Sequence, residues 1–307
     1  MNASPQWATE GGADPRLDGI LADLRRIRIR SHQARYGDRP PPELPSRTVI
    51  IEVVDGLVAS LFPRHYGPPG LTGESLDAFV AERLTSALRS LERQVRLELD
   101  LADGQEAGPA AEATKRAFEI TCAFAGRLAG IRAVLESDIQ AAYEGDPAAT
   151  SLDEVMACYP GVTAIIRHRL AHALFRLGAP ILARIISEFT HSLTGIDIHP
   201  GAEIGEGLFI DHGTGVVIGE TAIIGRRVRL YQAVTLGARR FRVDDRGALL
   251  KKYPRHPIVE DDVVIYAGAT ILGRITIGAG STIGGNVWLT QSVAPGSNVS
   301  QAQMRNT

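Results

Sequence analysis

From Ile198 to Val293 apolar residues recur every six positions. The leading residues are Ile198, Ile204, Ile210, Ile218, Ile224 and Leu230, then Val259, Ile265, Ile271, Ile277, Ile283 and Leu289. Each is followed four positions later by a second apolar or small residue, except that Thr214, after Ile210, is polar. Glycine directly follows the leading residue at Gly205, Gly219, Gly225, Gly278 and Gly284. This period fits neither an amphipathic helix nor an isolated strand. It predicts a parallel β-helix with three repeats to a coil, leading residues pointing inward and small residues at the corners. Adjacent coils then stack at about 4.8 Å.

The phase slips once, because eight residues rather than six separate Ile210 from Ile218. The two extra residues fall within 212–217, so His212 sits at the irregularity, preceded by Asp211 and followed by Gly213. A break in a regular scaffold points to function. Asp197 lies fifteen residues before His212, nearly one coil. Counting in coils of about eighteen residues places the two roughly one layer, about 5 Å, apart. A carboxylate there orients an imidazole and stabilises its charged form, as a histidine general base requires.

The first 190 or so residues read as helical. Residues 1–14 read as a disordered tail, and 15–36 carry Leu17, Ile20, Leu21, Leu24 and Ile27 at helical spacing. Arg25, Arg26, Arg28 and Arg30 crowd that helix's solvated C-terminus. A linker at 40–45 precedes helices over 47–63, 75–101, 110–142 and 160–193. Asp146, in Gly145-Asp146-Pro147, reads by itself as a turn or helix cap. His168 and His172 share a helix face at metal-capable spacing, yet no third ligand is evident and packing is the better reading. The chain is thus α+β: a helical domain over 15–194, a left-handed β-helix over 195–295 and a C-terminal tail over 296–307.

The segment 238–257 is too polar to continue the coil and is expelled as a loop. It closes on Arg255 and His256, bracketed by Pro254 and Pro257, which favours a bound anion over a plain surface pair. A net charge of −2 gives no case for nucleic acid or an anionic membrane. No apolar run approaches the ~18 residues of a membrane span. Cys122 and Cys158 read as small buried hydrophobes rather than a disulfide framework, and a reducing cytoplasm is the default.

The stretches Gly195-Ile196-Asp197-Ile198-His199-Pro200, Asp211-His212-Gly213-Thr214-Gly215, Gly219-Glu220-Thr221-Ala222 and Arg255-His256-Pro257 resemble the motifs of serine O-acetyltransferases. Across 146–293 the resemblance is close, and the N-terminal helices resemble the longer-armed branch of that family. It implies transfer of acetyl from acetyl-CoA, a co-substrate rather than a bound cofactor, to the hydroxyl of L-serine, feeding cysteine synthesis. It implies His212 as general base and Asp197 as its orienting acid. Asp146 and Asp211 would hold the substrate ammonium, reversing the cap reading of Asp146, and Arg255 and His256 the carboxylate. CoA would lie between subunits against Gly237, Ala267 and Gly285. A homotrimer or dimer of trimers is implied, and no metal.

Two departures stand out. The loop at 238–253 is longer than in short bacterial forms. The terminal Met304-Arg305-Asn306-Thr307 lacks the isoleucine with which many members enter O-acetylserine sulfhydrylase, so that complex is not expected. Three rivals are another hexapeptide acyltransferase with a different acceptor or acyl donor, a β-helical zinc lyase, and a non-catalytic scaffold. A sugar acceptor has no charges for Asp146 and Arg255 to meet. The zinc lyase needs three converging histidines, and His199, His212 and His256 are those of the β-helical half.

Overall fold

A computed structural model describes residues 8–9, 12–13, 15–102, 110–251 and 253–301. The chain forms two compact units, Met1–Glu43 and Leu44–Thr307. Their boundary falls in the proline-rich linker. In the first unit, Ala8–Thr9 pairs antiparallel with Gly12–Ala13, and helix α1 runs Pro15–Tyr36 as its spacing predicts. The rest of the stretch read as a disordered tail, and Met304 to Thr307, lie outside the described residues.

The second unit opens with helices α2 (Arg47–Leu61), α3 (Pro63–Tyr66), α4 (Gly73–Ala102), α5 (Ala110–Ala125) and α6 (Leu128–Gly145). Then follow α7 (Leu152–Cys158), α8 (Pro160–Arg176) and α9 (Pro180–Thr194). Two helices expected to be continuous are broken. Gly126 and Arg127 part α5 from α6, and left-handed Gly178 followed by Pro180 parts α8 from α9. Helix α7, capped by the Ser151 hydroxyl accepting from Glu154 N–H, was not anticipated. Cys122 and Cys158 are exposed rather than buried. Each shares its helix with larger apolar residues, Phe124 and Val155, that occupy the core.

The repeats close into a three-faced parallel β-helix. The first face stacks Asp197–Ile198, Val217–Ile218, Thr235–Gly237, Thr270–Leu272 and Trp288–Leu289. The second stacks Glu203–Ile204, Ile223–Ile224, Ile258–Val259 and Thr276–Ile277. The third stacks Phe209–Ile210, Arg229–Leu230, Val264–Ile265, Thr282–Ile283 and Asn298–Val299. Since Asn298–Val299 still pairs with Thr282–Ile283, the coil continues into the stretch read as tail. Ile198, Ile218, Leu236, Ile271 and Leu289 fill its centre, and the core runs on unbroken into Leu182, Ile165 and Leu135 of the helices.

Two edges border the first face. The chain enters it through 211–216, 231–234, 266–269 and 284–287, and leaves it through 199–202, 219–222, 238–257 and 273–275. At the slip, Val216 is buried and Thr214 exposed, so Val216 takes the inward place that the repeat assigned to Thr214. The coil there measures twenty residues, because Asp197 pairs with Val217.

Candidate functional site

Helix α6 is locked to the first coil by a buried ion pair. Arg169 Nε and Nη2 donate to the two Asp138 oxygens at 2.6 and 2.8 Å, and the same guanidinium reaches the carbonyls of Ile204 and Gly205. Asp138 Oδ1 also accepts from Leu208 N–H at 2.9 Å. Burial pushes the Asp138 carboxyl up, while Arg169 and the backbone donors draw it back. Two glycines complete the docking. A methyl group on Gly145 would lie 2.6 Å from both Phe209 and Arg229, and one on Gly161 would lie 2.2 Å from the Ile210 carbonyl oxygen. The C-terminus of α6 and the N-terminus of α8 therefore both touch the strand that feeds Asp211 and His212.

This contact gathers Asp146, Tyr159, Asp211 and His212 at the entry edge. The Tyr159 hydroxyl donates to Asp146 Oδ2, and Ala148 N–H donates to Oδ1 at 2.8 Å. The hydrogen bond from Tyr159, then that from Ala148, holds the Asp146 carboxyl below its ordinary value, with smaller help from His212 and Arg229. The same bond raises the phenol to about 12, and Asp211 adds to the rise. Tyr159 thus stands within electrostatic reach of both acids. The sequence reading missed it, since a tyrosine before Pro160 reads only as the approach to a helix.

His212 is exposed, with 69% of its side chain accessible, and its Nδ1 lies 3.7 Å from Asp211 Oδ1. Its φ is 57°, and Gly213 and Gly215 are also left-handed. The other non-glycine residues with positive φ among the described residues, Arg227, Ala233, Asp262 and Asn286, occupy regular corner positions that repeat from coil to coil. His212 falls outside those columns. Its backbone is strained, by roughly 1–3 kcal/mol for such a conformation, and this is the form that aims its ring outward from the scaffold.

The coil count set Asp197 one layer from His212, but the register does not pair the two. The two inserted residues lengthen the coil, so its neighbour in the next coil is Val217, and no hydrogen bond or ion pair joins Asp197 to His212 among the described residues. Asp197 lies half-buried on the first face, on the strand next to the one the His212 loop feeds.

The exit edge carries a second cluster. Arg255 Nη2 meets Glu220 Oε2 at 2.6 Å, and Thr221 Oγ1 accepts from the backbone N–H groups of Arg255 and His256 at 2.9 and 3.2 Å. His256 Nδ1 accepts from Thr221 N–H at 3.0 Å. Burial, then the neighbouring Arg255, lowers His256 to about 4, so the ring is neutral near pH 7 and carries its proton on Nε2. Gly219 permits this: a methyl group there would lie 2.1 Å from the His256 ring. His199 borders the cluster, its Nδ1 accepting from Gly201 N–H at 2.9 Å.

Arg255 and His256 make no hydrogen bond or ion pair with Asp146, Asp211 or His212 among the described residues. The width of the first face separates the two clusters. The donor-side residues divide in the same way. Ala267 and Gly285 stack at the entry edge, a methyl on Gly285 meeting the Ala267 carbonyl oxygen at 3.2 Å, while Gly237 ends its strand at the exit edge beside Leu272. No group of three or more His, Cys, Asp or Glu suited to a metal occurs among the described residues, and His168 is buried in packing. Nor is any helix among them long and apolar enough to cross a membrane.

The family described as bacterial transferase hexapeptide (six repeats) matches residues 256–291. The plasmid serine acetyltransferase of Synechococcus elongatus is 58% identical over 266 residues, 86% of this chain and 83% of that protein. The serine acetyltransferase of Mycobacterium tuberculosis is 52% identical over 161 residues, 52% of this chain and 66% of that protein. The crystal structure of Entamoeba histolytica serine acetyltransferase 1 in complex with L-cysteine superposes with a TM-score of 0.71 at 34% identity, covering 92% of this chain and 97% of that one. With the fold, the slip at His212 and these likenesses together, the chain belongs to the serine acetyltransferase family.

Proposed function

We propose that the protein transfers acetyl from acetyl-CoA to the hydroxyl of L-serine, giving O-acetylserine and CoA for cysteine biosynthesis. The observation that carries the acceptor reading is the entry-edge cluster, where an exposed histidine stands beside two acids. An amino acid carries a positive charge close to its nucleophilic hydroxyl, and this arrangement matches that pair. Asp146 and Asp211 hold the ammonium, and Tyr159 keeps Asp146 ionised and in place. Arg255 and neutral His256 take the carboxylate, the guanidinium by two parallel bonds.

His212 removes the serine hydroxyl proton as the oxygen attacks the thioester carbonyl. The tetrahedral adduct collapses, the C–S bond breaks, and the imidazolium returns the proton to the departing thiolate. No covalent enzyme intermediate is needed. Asp197, on the strand adjoining the one the His212 loop feeds, is the acid that orients the imidazole.

A serine molecule is too short to span the first face, so one chain cannot bring both clusters to it. A neighbouring copy that sets its exit edge against the entry edge solves this, and the same packing joins Gly237 to Ala267 and Gly285 along one CoA groove. This favours a homotrimer with three such sites, in a cytoplasmic enzyme; pairing of trimers is compatible with it. Purified protein incubated with acetyl-CoA and a panel of amino acids, with free thiol followed, tests the reading: serine should be preferred, and no turnover with any amino acid would overturn it.

A further inference from the structure

The expelled loop forms an arm. Val243 pairs antiparallel with Leu249, and Asp244 turns the tip by accepting from the N–H groups of Arg246 and Ala248. At its base lies a cavity of about 560 Å³ lined by Arg239, Arg240, Arg242, Arg255 and Arg274, with no acid among its lining residues. Three of these guanidiniums are held in place, and the loop's own bonds fix the backbone that carries the others. The Tyr253 hydroxyl accepts from Arg242 N–H at 2.9 Å and donates to the Arg240 carbonyl, which ties the two limbs of the loop. Its ring lies beneath two guanidiniums, Arg242 at 5.2 Å and Arg255 at 5.7 Å. Arg274 Nη1 is fixed by the Thr221 carbonyl at 2.6 Å and the His256 carbonyl at 3.0 Å, and Arg239 packs against left-handed Gly273.

Like charges lining one cavity repel, and among the described residues Arg255 alone of the five is paired with a carboxylate. Guanidinium forks suit tetrahedral oxyanions, which accept several N–H bonds at once. We infer that this cavity is a binding site for a multiply charged phosphate or sulfate group. Two sources share that chemistry: the phosphorylated nucleotide end of an acyl-CoA, and a free inorganic oxyanion. The nucleotide source rests on the acetyl-CoA reading above, since the cavity adjoins Leu272 next to Gly237. The cavity's preference for an oxyanion does not.

Calorimetry on the full chain with adenosine 3′,5′-bisphosphate, and separately with inorganic sulfate, tests this. At least one probe should bind, more weakly as ionic strength rises. The double variant Arg239→Ala/Arg240→Ala, in an exposed loop, should keep the wild-type melting temperature and lose roughly tenfold or more in affinity; Arg274→Gln supplies an independent loss. Displacement of the bound probe by acetyl-CoA assigns the site to the nucleotide, and sulfate binding unaffected by acetyl-CoA assigns it to a free oxyanion. Absence of binding by either probe, or equal affinity in the folded variants, overturns the proposal. Acetyl transfer to serine is followed in parallel. A chain that transfers acetyl but binds neither probe overturns the cavity assignment alone. One that binds a probe without transferring acetyl overturns the activity alone.

Discussion

Arg255 is already engaged: its Nη2 lies 2.6 Å from Glu220 Oε2, with both side chains largely buried. Glu220, together with the Tyr253 carbonyl that accepts from Nη1 at 3.3 Å, therefore fixes the guanidinium in position and leaves its other N–H groups for a substrate carboxylate. Truncating one partner of a desolvated charge pair costs about 2–5 kcal/mol. Arg255→Ala should lower kcat/KM for serine by at least about tenfold, and change the KM for acetyl-CoA less. Ethanolamine, which lacks the carboxylate, should be a poor acceptor and should lose far less in the variant. Equal losses for serine and ethanolamine would show that Arg255 does not read the carboxylate.

Tyr159→Phe removes the hydrogen bond that holds Asp146 ionised. The Asp146 carboxyl then rises toward its ordinary value, so the ammonium contact fails at a higher pH as the solution is acidified. Steady-state kinetics across the acid range should show the KM for serine climbing earlier in the variant than in wild type. Near pH 7 kcat should change by less than about threefold, because the phenol is engaged with Asp146 and acts through it. An unchanged KM profile would remove Tyr159 from the ammonium site.

Four histidines, His168, His172, His199 and His256, are lowered, each chiefly by burial. Below the unfolded value of about 6.5 the unfolded chain binds more protons than the native one, so stability falls with pH. For His256 that loss runs from about 6.5 down to about 4. Denaturant melts between pH 7 and 4 should show a declining midpoint, and His256→Asn should flatten the decline. A midpoint that stays level over this window contradicts the buried neutral rings.

His212→Ala should cut turnover by about 10²–10⁴, the usual effect of losing a general base. Sedimentation should show the assembly unchanged, because the side chain is exposed and among the described residues forms no ion pair beyond that with Asp211. Activity within about threefold of wild type would exclude it as the base.

The β-helix was legible because its period is a property of the chain: ten of the twelve pairs kept their phase, Thr214 yielded to Val216 at the slip, and Val293 took a leading place beside Ile277 where the last coil shortens. The slip also pointed to His212. The same irregularity overturned the eighteen-residue count used for Asp197, since the coil with inserted residues measures twenty. Helix breaks at Gly126 and Gly178 were hidden inside apolar stretches that stay periodic on both sides. Tyr159 and Glu220 were not legible, because their roles arise from helix docking and from an approach across 35 residues of sequence between Glu220 and Arg255. Nor does a linear sequence show that the residues proposed for the acceptor divide between two edges of a prism.

That division is the central claim, and mixed assembly tests it directly. His212→Ala chains and Arg255→Ala chains, each impaired alone, are unfolded together and refolded as mixed oligomers. Where the intact entry edge of one chain meets the intact exit edge of another, a complete site returns. Serine acetylation by the mixture should therefore rise well above the sum of the two variants refolded separately. Activity no greater than that sum, in mixtures shown by mass spectrometry to contain both chains, would contradict a site shared between copies.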